Sequence, residues 1–282
     1  ALPIYAGQTE ITTVVIPKGI SKIGVGAFRN CTNLTTVIFE DGCVKLTELP
    51  AELFAGCSSL KKITLPVNAT VVGKNAFAGC SSLEEVAMPD VEEISESAFE
   101  NSGLKKFDIP ANIYAVGKNA FKNSALTEIS LGSVKTIGAG AFEGTEITSV
   151  IIPESVTLMG AGAFRGCTEL KNVRFRTTSL RVVDDYMFYD CSSLESIALP
   201  EGVTRLGGYA FMNCEKLSDV ELPSTLEMIA VDCDLDDTSE VNYGYTFANC
   251  TALKSIDLPD KLSYLGSFAF LNSGLVSIEL PD

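Results

Sequence analysis

The most regular feature of the chain is a hydrophobic pattern that recurs at steps of mostly 21 to 24 residues. Its unit reads Ile/Leu-Gly-x-x-Ala-Phe-x-x-Cys-x-x-Leu-x-x-Val-x-Leu-Pro, with variation at single positions. A period of this length indicates stacked repeats, each of which buries its apolar face against its neighbours. The phenylalanine column comprises Phe28, Phe54, Phe77, Phe99, Phe121, Phe142, Phe164, Phe188, Phe211, Phe247 and Phe270.

The Leu-x-x-Val-x-Leu part of the unit predicts a short β-strand, because it alternates with period two and is rich in β-branched residues. Leu60, Ile63 and Leu65 are one example, and Pro66 ends the strand. We expect one strand per repeat, all running in the same direction, and therefore a parallel sheet. The return stretch is too short for two helices, so we expect a short helical turn or an irregular arc that packs the phenylalanine inward.

These elements predict an α/β-type repeat solenoid, a right-handed superhelix with repeats of 22 to 23 residues. We predict a single domain over residues 1–282, with an N-terminal cap segment at 1–10 and about eleven to twelve repeats over 11–282. The longest interval between phenylalanines contains an insertion at 230–244.

The repeat unit resembles that of the BspA-like leucine-rich repeats, and the resemblance covers the chain from Ile11 onward. It implies a surface or secreted protein of a host-associated bacterium that adheres to host proteins or other cells. Because the shared residues are core residues, the resemblance specifies the fold better than the function. On this basis we expect an extracellular or cell-surface binding module for a protein or glycan; the alternative is a structural spacer of a larger surface protein.

Composition and charge narrow the possible functions. The chain has 21 Lys and Arg against 36 Asp and Glu, a formal charge of -15, which disfavours nucleic acid and anionic membranes as partners. It contains no histidine, so Ser-His and Cys-His catalysis are excluded. Paired carboxylates such as Glu84 with Glu85, or Asp219 with Glu221, lie at open strand positions, and we predict neither an enzyme nor a bound cofactor.

Seven of the nine cysteines occupy one column of the repeat, three residues after the phenylalanine. Disulfides or metal binding are one interpretation, but parallel side chains on stacked repeats favour free buried thiols. Cys43 and Cys233 lie outside the column and are the better candidates for pairing or reaction.

The insertion carries an Asp-x-Asp-x-Asp pattern, at Asp232, Asp234 and Asp236, that is typical of calcium loops. Asp237 stands where such a loop requires glycine, and Tyr243 where it requires glutamate. The pattern leaves two interpretations open, a weak calcium site and a solvated acidic loop.

Two surfaces are candidates for partner binding. The last four repeats carry aromatic residues two positions before the phenylalanine column, at Tyr186, Tyr209, Tyr245 and Phe268, which predict either a stiffening stack or a row of binding anchors. The exposed strand positions carry basic residues at Lys61, Lys62, Lys105, Lys106, Lys171 and Arg174.

The two ends of the chain give weaker expectations. Residues 1–5 lack the basic and apolar segments of a signal peptide, which predicts a processed or trimmed start. Residues 275–280 have the pattern of a strand, and we expect further chain or a partner to cover it.

Overall fold

A computed structural model describes residues 5–231 and 244–281, in two compact units, 1–134 and 135–282. Each unit is a solenoid of short parallel β-strands, which confirms the repeat fold, and the described residues form no helix. The described part of the chain therefore offers no helix that could cross a membrane.

The described residues of the first unit form ten strands in two series. The first series pairs in parallel as β1 with β2, β4 with β6, and β8 with β10, and the second pairs as β3-β5-β7-β9. In chain order they are β1 Thr13–Ile16, β2 Thr36–Phe39, β3 Glu48–Leu49, β4 Lys62–Thr64, β5 Val71–Val72, β6 Glu85–Ala87, β7 Glu93–Ile94, β8 Lys106–Asp108, β9 Ala115–Val116 and β10 Glu128–Ser130.

In the second unit, the strands formed by residues 135–231 and 244–281 also number ten and fall into two series. The first series forms the parallel sheet β12-β14-β16-β18, and the second pairs β11 with β13 and forms β15-β17-β19-β20. In chain order they are β11 Thr136–Ile137, β12 Ser149–Ile152, β13 Leu158–Met159, β14 Asn172–Phe175, β15 Val182–Val183, β16 Ser196–Ala198, β17 Arg205–Gly207, β18 Asp219–Glu221, β19 Met228–Val231 and β20 Tyr264–Leu265.

The expectation of one strand per repeat was wrong, because most repeats form two. The first is the predicted Leu-x-x-Val-x-Leu strand. The second precedes the glycine of the unit and is only two residues long in most repeats, as in Val71–Val72. One inward residue, such as Val72, Ile94 or Val116, is too short a pattern to predict a strand from sequence.

The expected helical turn of the return stretch is also wrong, for a reason that lies in the backbone. Residues two positions before and after the phenylalanine have positive φ, for example Asn119 at 55° and Asn123 at 53°. Left-handed residues at both positions stop a right-handed helix. Instead, alternate N–H groups bond to the next repeat: the N–H of Phe99 donates to the carbonyl of Ala120 at 2.7 Å.

The phenylalanine column forms the core of each unit, as the sequence predicts. Phe77 and Phe99 are fully buried and stack with ring centroids 5.3 Å apart and planes 3° apart. In the second unit, Phe211 and Phe247 stack at 5.1 Å and 1°. Burial of such side chains is the main source of stability in each solenoid.

The column cysteines are buried free thiols that connect successive repeats. The Sγ atom of Cys57 lies 3.1 Å from the carbonyl oxygen of Phe28, one repeat earlier, and Cys191 repeats this contact with Phe164 at 3.2 Å. The same contact recurs at Cys80, Cys167, Cys214 and Cys250, and Cys31 contacts the carbonyl oxygen of Tyr5 at 3.1 Å. Cys43 is also free and buried, and Cys233 lies outside the described residues.

Candidate functional site

The four aromatic residues that the sequence singled out form one continuous stack in the second unit, which we call the aromatic ladder. Tyr186 and Tyr209 are parallel, with ring centroids 4.7 Å apart and planes 4° apart. Tyr209 and Tyr245 follow at 5.3 Å, and Tyr245 and Phe268 at 5.2 Å. The three tyrosines are partly buried and Phe268 is 47% exposed, so the ladder lies at the surface.

All four ladder residues have left-handed backbone geometry. Their φ angles are 57° at Tyr186, 60° at Tyr209, 37° at Tyr245 and 58° at Phe268. Bulky side chains rarely adopt this conformation, which costs roughly 1–2 kcal/mol per residue. In the first unit the equivalent positions are also left-handed, but they carry the smaller or more flexible Gly26, Glu52, Asn75, Ser97 and Asn119.

A second ladder runs beside the first, four residues further along each repeat, and we call it the amide ladder. The side-chain amide of Asn213 donates to Asp190 at 2.6 Å, that of Asn249 to Asn213 at 2.7 Å, and that of Asn272 to Asn249 at 3.2 Å. The sequence analysis missed this ladder. Its signal was the recurrence of Asp or Asn two residues after the phenylalanine column in these repeats.

Arg165 lies against the first tyrosines of the aromatic ladder. Its guanidinium carbon is 5.4 Å from the ring centroid of Tyr186 and 5.1 Å from that of Tyr189, within the range of a cation–π contact. Partial burial, with a smaller contribution from the carboxylate of Asp185, raises the pKa of the Tyr186 phenol. The Tyr186 hydroxyl therefore stays protonated at neutral pH and can act as a hydrogen-bond donor.

The stacking decides which part of each ring is available to a partner. Successive ring centroids are 4.7 to 5.3 Å apart, with planes 4°, 31° and 12° apart, so the faces of the inner rings are turned toward each other. Ring edges and hydroxyl groups are left to contact a partner, with the amide ladder alongside. Such a surface suits the side chains of a protein better than a sugar ring, which needs an open aromatic face.

Of the four predicted basic residues of the first unit, two form ion pairs with glutamates on the next strand. Lys62 on β4 binds Glu85 on β6 at 2.8 Å, and Lys106 on β8 binds Glu128 on β10 at 2.7 Å. The Glu85 carboxylate raises the pKa of the Lys62 ammonium.

Their neighbours Lys61 and Lys105 are exposed and form no ion pair in the described part of the chain. The carboxylates Glu84, Asp219 and Glu221 are also exposed on strand positions. Glu85 borders a cavity of about 460 Å³ next to β2, but its carboxylate is already held by Lys62.

The basic residues of the second unit lie on and beside β14. Lys171 precedes the strand and Arg174 is on it, in register with Ile151 of β12. Arg176, which was not among the predicted binding residues, directly follows the strand. All three basic side chains are exposed.

The calcium candidate, at Asp232, Asp234 and Asp236, lies outside the described residues. Among residues 5–231 and 244–281, no group of three or more Cys, Asp or Glu side chains is placed to hold a metal ion.

Comparison with protein families decides the classification of the chain. Residues 4–128, 135–233 and 232–282 match the family model described as BspA type leucine rich repeat region. The chain belongs to this family. Membership confirms the resemblance predicted from the repeat unit. A search of curated proteins finds no match.

Solved structures of bacterial leucine-rich-repeat proteins share the fold. A leucine-rich repeat protein from Bacteroides ovatus is 27% identical, covers 98% of this chain and 74% of its own, and gives a TM-score of 0.75. The pneumococcal vaccine antigen PcpA is 21% identical over 95% of this chain and 61% of its own, with a TM-score of 0.58. A leucine rich cell surface protein from Faecalibacterium prausnitzii is 28% identical over 92% and 80%, with a TM-score of 0.49.

Proposed function

We propose that this chain is a non-enzymatic binding module of a surface or secreted protein, and that it holds a protein partner on the face formed by the aromatic and amide ladders. Family membership supports an interaction role in general. The observation that carries the proposal is the aromatic ladder, whose four bulky residues occupy left-handed positions.

The energetics of the ladder support binding over stiffening. Four left-handed aromatic residues cost roughly 4–8 kcal/mol in backbone conformation. Their three stacking contacts contribute about 0.5–1.5 kcal/mol each beyond the area that the rings bury, so stacking by itself offsets only part of that cost. Asn, as at Asn75 and Asn119 of the first unit, fits the same backbone with little strain.

The chemistry of this face also matches what protein interfaces select. Tyrosine and arginine are enriched at interfaces, where tyrosine combines a large apolar area with a hydroxyl group. Tyr186, Tyr189, Tyr209 and Arg165 supply both residue types on adjacent repeats. In the first unit the corresponding face carries ion pairs, such as Arg29 with Glu52 at 2.8 Å.

The test is a binding screen of the chain against an array of purified extracellular proteins and glycans. The test variant carries Tyr186→Asn, Tyr209→Asn and Tyr245→Asn, which suit the left-handed backbone and keep the fold. The matched control carries Glu52→Asn and Ser97→Asn at the same repeat position of the first unit.

We expect saturable binding to at least one protein that the control retains and the tyrosine variant loses. Binding that survives in the tyrosine variant would place the partner elsewhere on the chain. A chain that binds nothing in the screen would favour the alternative role as a structural spacer.

A further inference from the structure

The second unit contains a concentration of positive charge that is unusual for this chain. Residues 171–181 include Lys171, Arg174, Arg176 and Arg181 and no carboxylate, and they contain three of the six arginines in the sequence. The chain as a whole carries 36 acidic against 21 basic residues. A cluster of this kind is a candidate site for an anionic ligand.

The charges of this cluster form no ion pair with the described residues, unlike three lysines of the first unit. There, Lys62, Lys74 and Lys106 each bind a glutamate within 2.8 Å. In contrast, no carboxylate of the described residues lies within 4.0 Å of the charged groups of Lys171, Arg174 or Arg176.

Strand β14 carries Arg174, with Lys171 directly before it and Arg176 directly after it, and we call these three exposed residues the basic row. Strand β14 is an inner strand of its sheet, paired in register with β12 and β16. Arg174 and Arg176 are two residues apart in extended chain, so their side chains leave the same face about 7 Å apart. Lys171 extends the row at the other end, and all three side chains are exposed.

The residues beside the row favour a glycan over an acidic peptide. Ser149 and Ser196 lie on the neighbouring strands in register with Asn172, so hydroxyl and amide groups lie between Lys171 and Arg174, while Arg174 itself is in register with the exposed Ile151. Hydroxyl and amide groups match the hydroxyls of a sugar chain.

We propose that the basic row is a binding site for a sulfated glycan, whose sulfate groups are bound by Lys171, Arg174 and Arg176 along β14. The planar guanidinium group forms two parallel hydrogen bonds with an oxyanion, which suits arginine to this ligand. This site is separate from the aromatic ladder and does not depend on the function proposed for it.

The experiment measures binding of a heparin oligosaccharide to the whole chain by titration calorimetry at several salt concentrations. If three ion contacts form, raising the salt concentration from 50 to 200 mM should weaken the affinity about 20- to 40-fold, because each contact releases counterions condensed on the polyanion. The variant Lys171→Gln, Arg174→Gln, Arg176→Gln should bind heparin at least about tenfold more weakly. Its plot of log affinity against log salt concentration should have a slope shallower by about two to three. The charge-matched control carries Lys45→Gln, Lys61→Gln and Lys105→Gln and should bind like the unmodified chain.

Each alternative outcome overturns the proposal in a recognisable way. Equal loss in both variants would mean that only net charge matters, and no binding at low salt would mean that there is no site. Equal affinity for desulfated heparin, polyglutamate or duplex DNA would remove the assignment to a sulfated glycan. The Tyr186→Asn, Tyr209→Asn, Tyr245→Asn variant should bind heparin normally, which separates this test from that of the proposed function.

Discussion

Raising the pH to 9.5 should destabilise the fold strongly, because the column thiols cannot ionise where they are. Burial raises the pKa of Cys57 and Cys250 to about 12 and that of Cys167 to about 11. Burial also raises the pKa of Cys80, Cys191 and Cys214. In the unfolded chain these thiols have the ordinary cysteine pKa of about 8.5.

The sign and size of the effect follow from proton linkage. Above pH ~8.5 the unfolded chain releases thiol protons that the folded chain keeps, so the unfolded state is favoured as the pH rises. The buried thiols contribute their full stabilisation below pH ~8.5. This stabilisation is lost as the pH rises toward the folded pKa values of about 11 to 12. At pH 9.5 each thiol lowers the free energy of unfolding by about 1.4 kcal/mol.

Six such thiols together lower the free energy of unfolding by about 8 kcal/mol at pH 9.5, which is comparable with the whole stability of a typical domain. The assay is urea unfolding followed by circular dichroism between pH 7 and 9.5. The control carries Cys191→Thr and Cys214→Thr, since threonine already occupies the column at Thr145 and donates to Phe142 at 2.9 Å.

The control should lose about 2.8 kcal/mol less between pH 7 and 9.5 than the unmodified chain, because two thiols are missing. An unfolding midpoint that stays constant over this range would refute the reasoning. So would a thiolate absorbance that grows while the chain is still folded, because it would show that the thiols ionise in place.

Three further changes should have distinct effects on stability, each measurable by urea unfolding at pH 7. Ser102→Cys should raise the free energy of unfolding by about 1 kcal/mol, because the buried Ser102 hydroxyl has no partner and a thiol can reach the preceding repeat; no gain would contradict this. Gly117→Ala should lower it by about 1–3 kcal/mol or more, since a Cβ would lie 2.6 Å from the backbone of Ser95, whereas Gly19→Ala meets open space and should be neutral. Tyr209→Asn should change it by less than about 1.5 kcal/mol, because lost stacking and relieved backbone strain oppose each other; a loss above about 3 kcal/mol would favour a purely structural ladder.

The sequence predicted the parts of the fold that depend on large buried side chains. The columns of Phe77, Leu83 and Val86 recur at a fixed step, and stacking explains them without further information. The second strand series was missed because two residues, as in Val71–Val72, carry too little pattern. The return turn was missed because Asn119 and Asn123 look like ordinary polar residues until their positive φ is known.

The candidate site was predictable to the same extent and for the same reason. The aromatic ladder was visible as a column, since Tyr186, Tyr209 and Tyr245 recur at one position of the unit. Whether the rings meet by faces or edges depends on backbone geometry, which spacing does not reveal. The amide ladder was missed because Asn at its position also occurs in the first unit, as at Asn101, where it has the typical role of a left-handed turn residue.

The aromatic ladder is informative because local preference and observed residue disagree there. Every described repeat fixes a left-handed residue two positions before its phenylalanine, and the first unit fills this position mostly with Gly, Asn or Ser. A chain under selection for stability alone would do the same in the second unit. Tyr209 and Tyr245 instead place large side chains on strained backbone at the surface. Such conflicts are expected where a residue is kept for what it contacts outside the chain, which is why we assign the partner surface to this ladder.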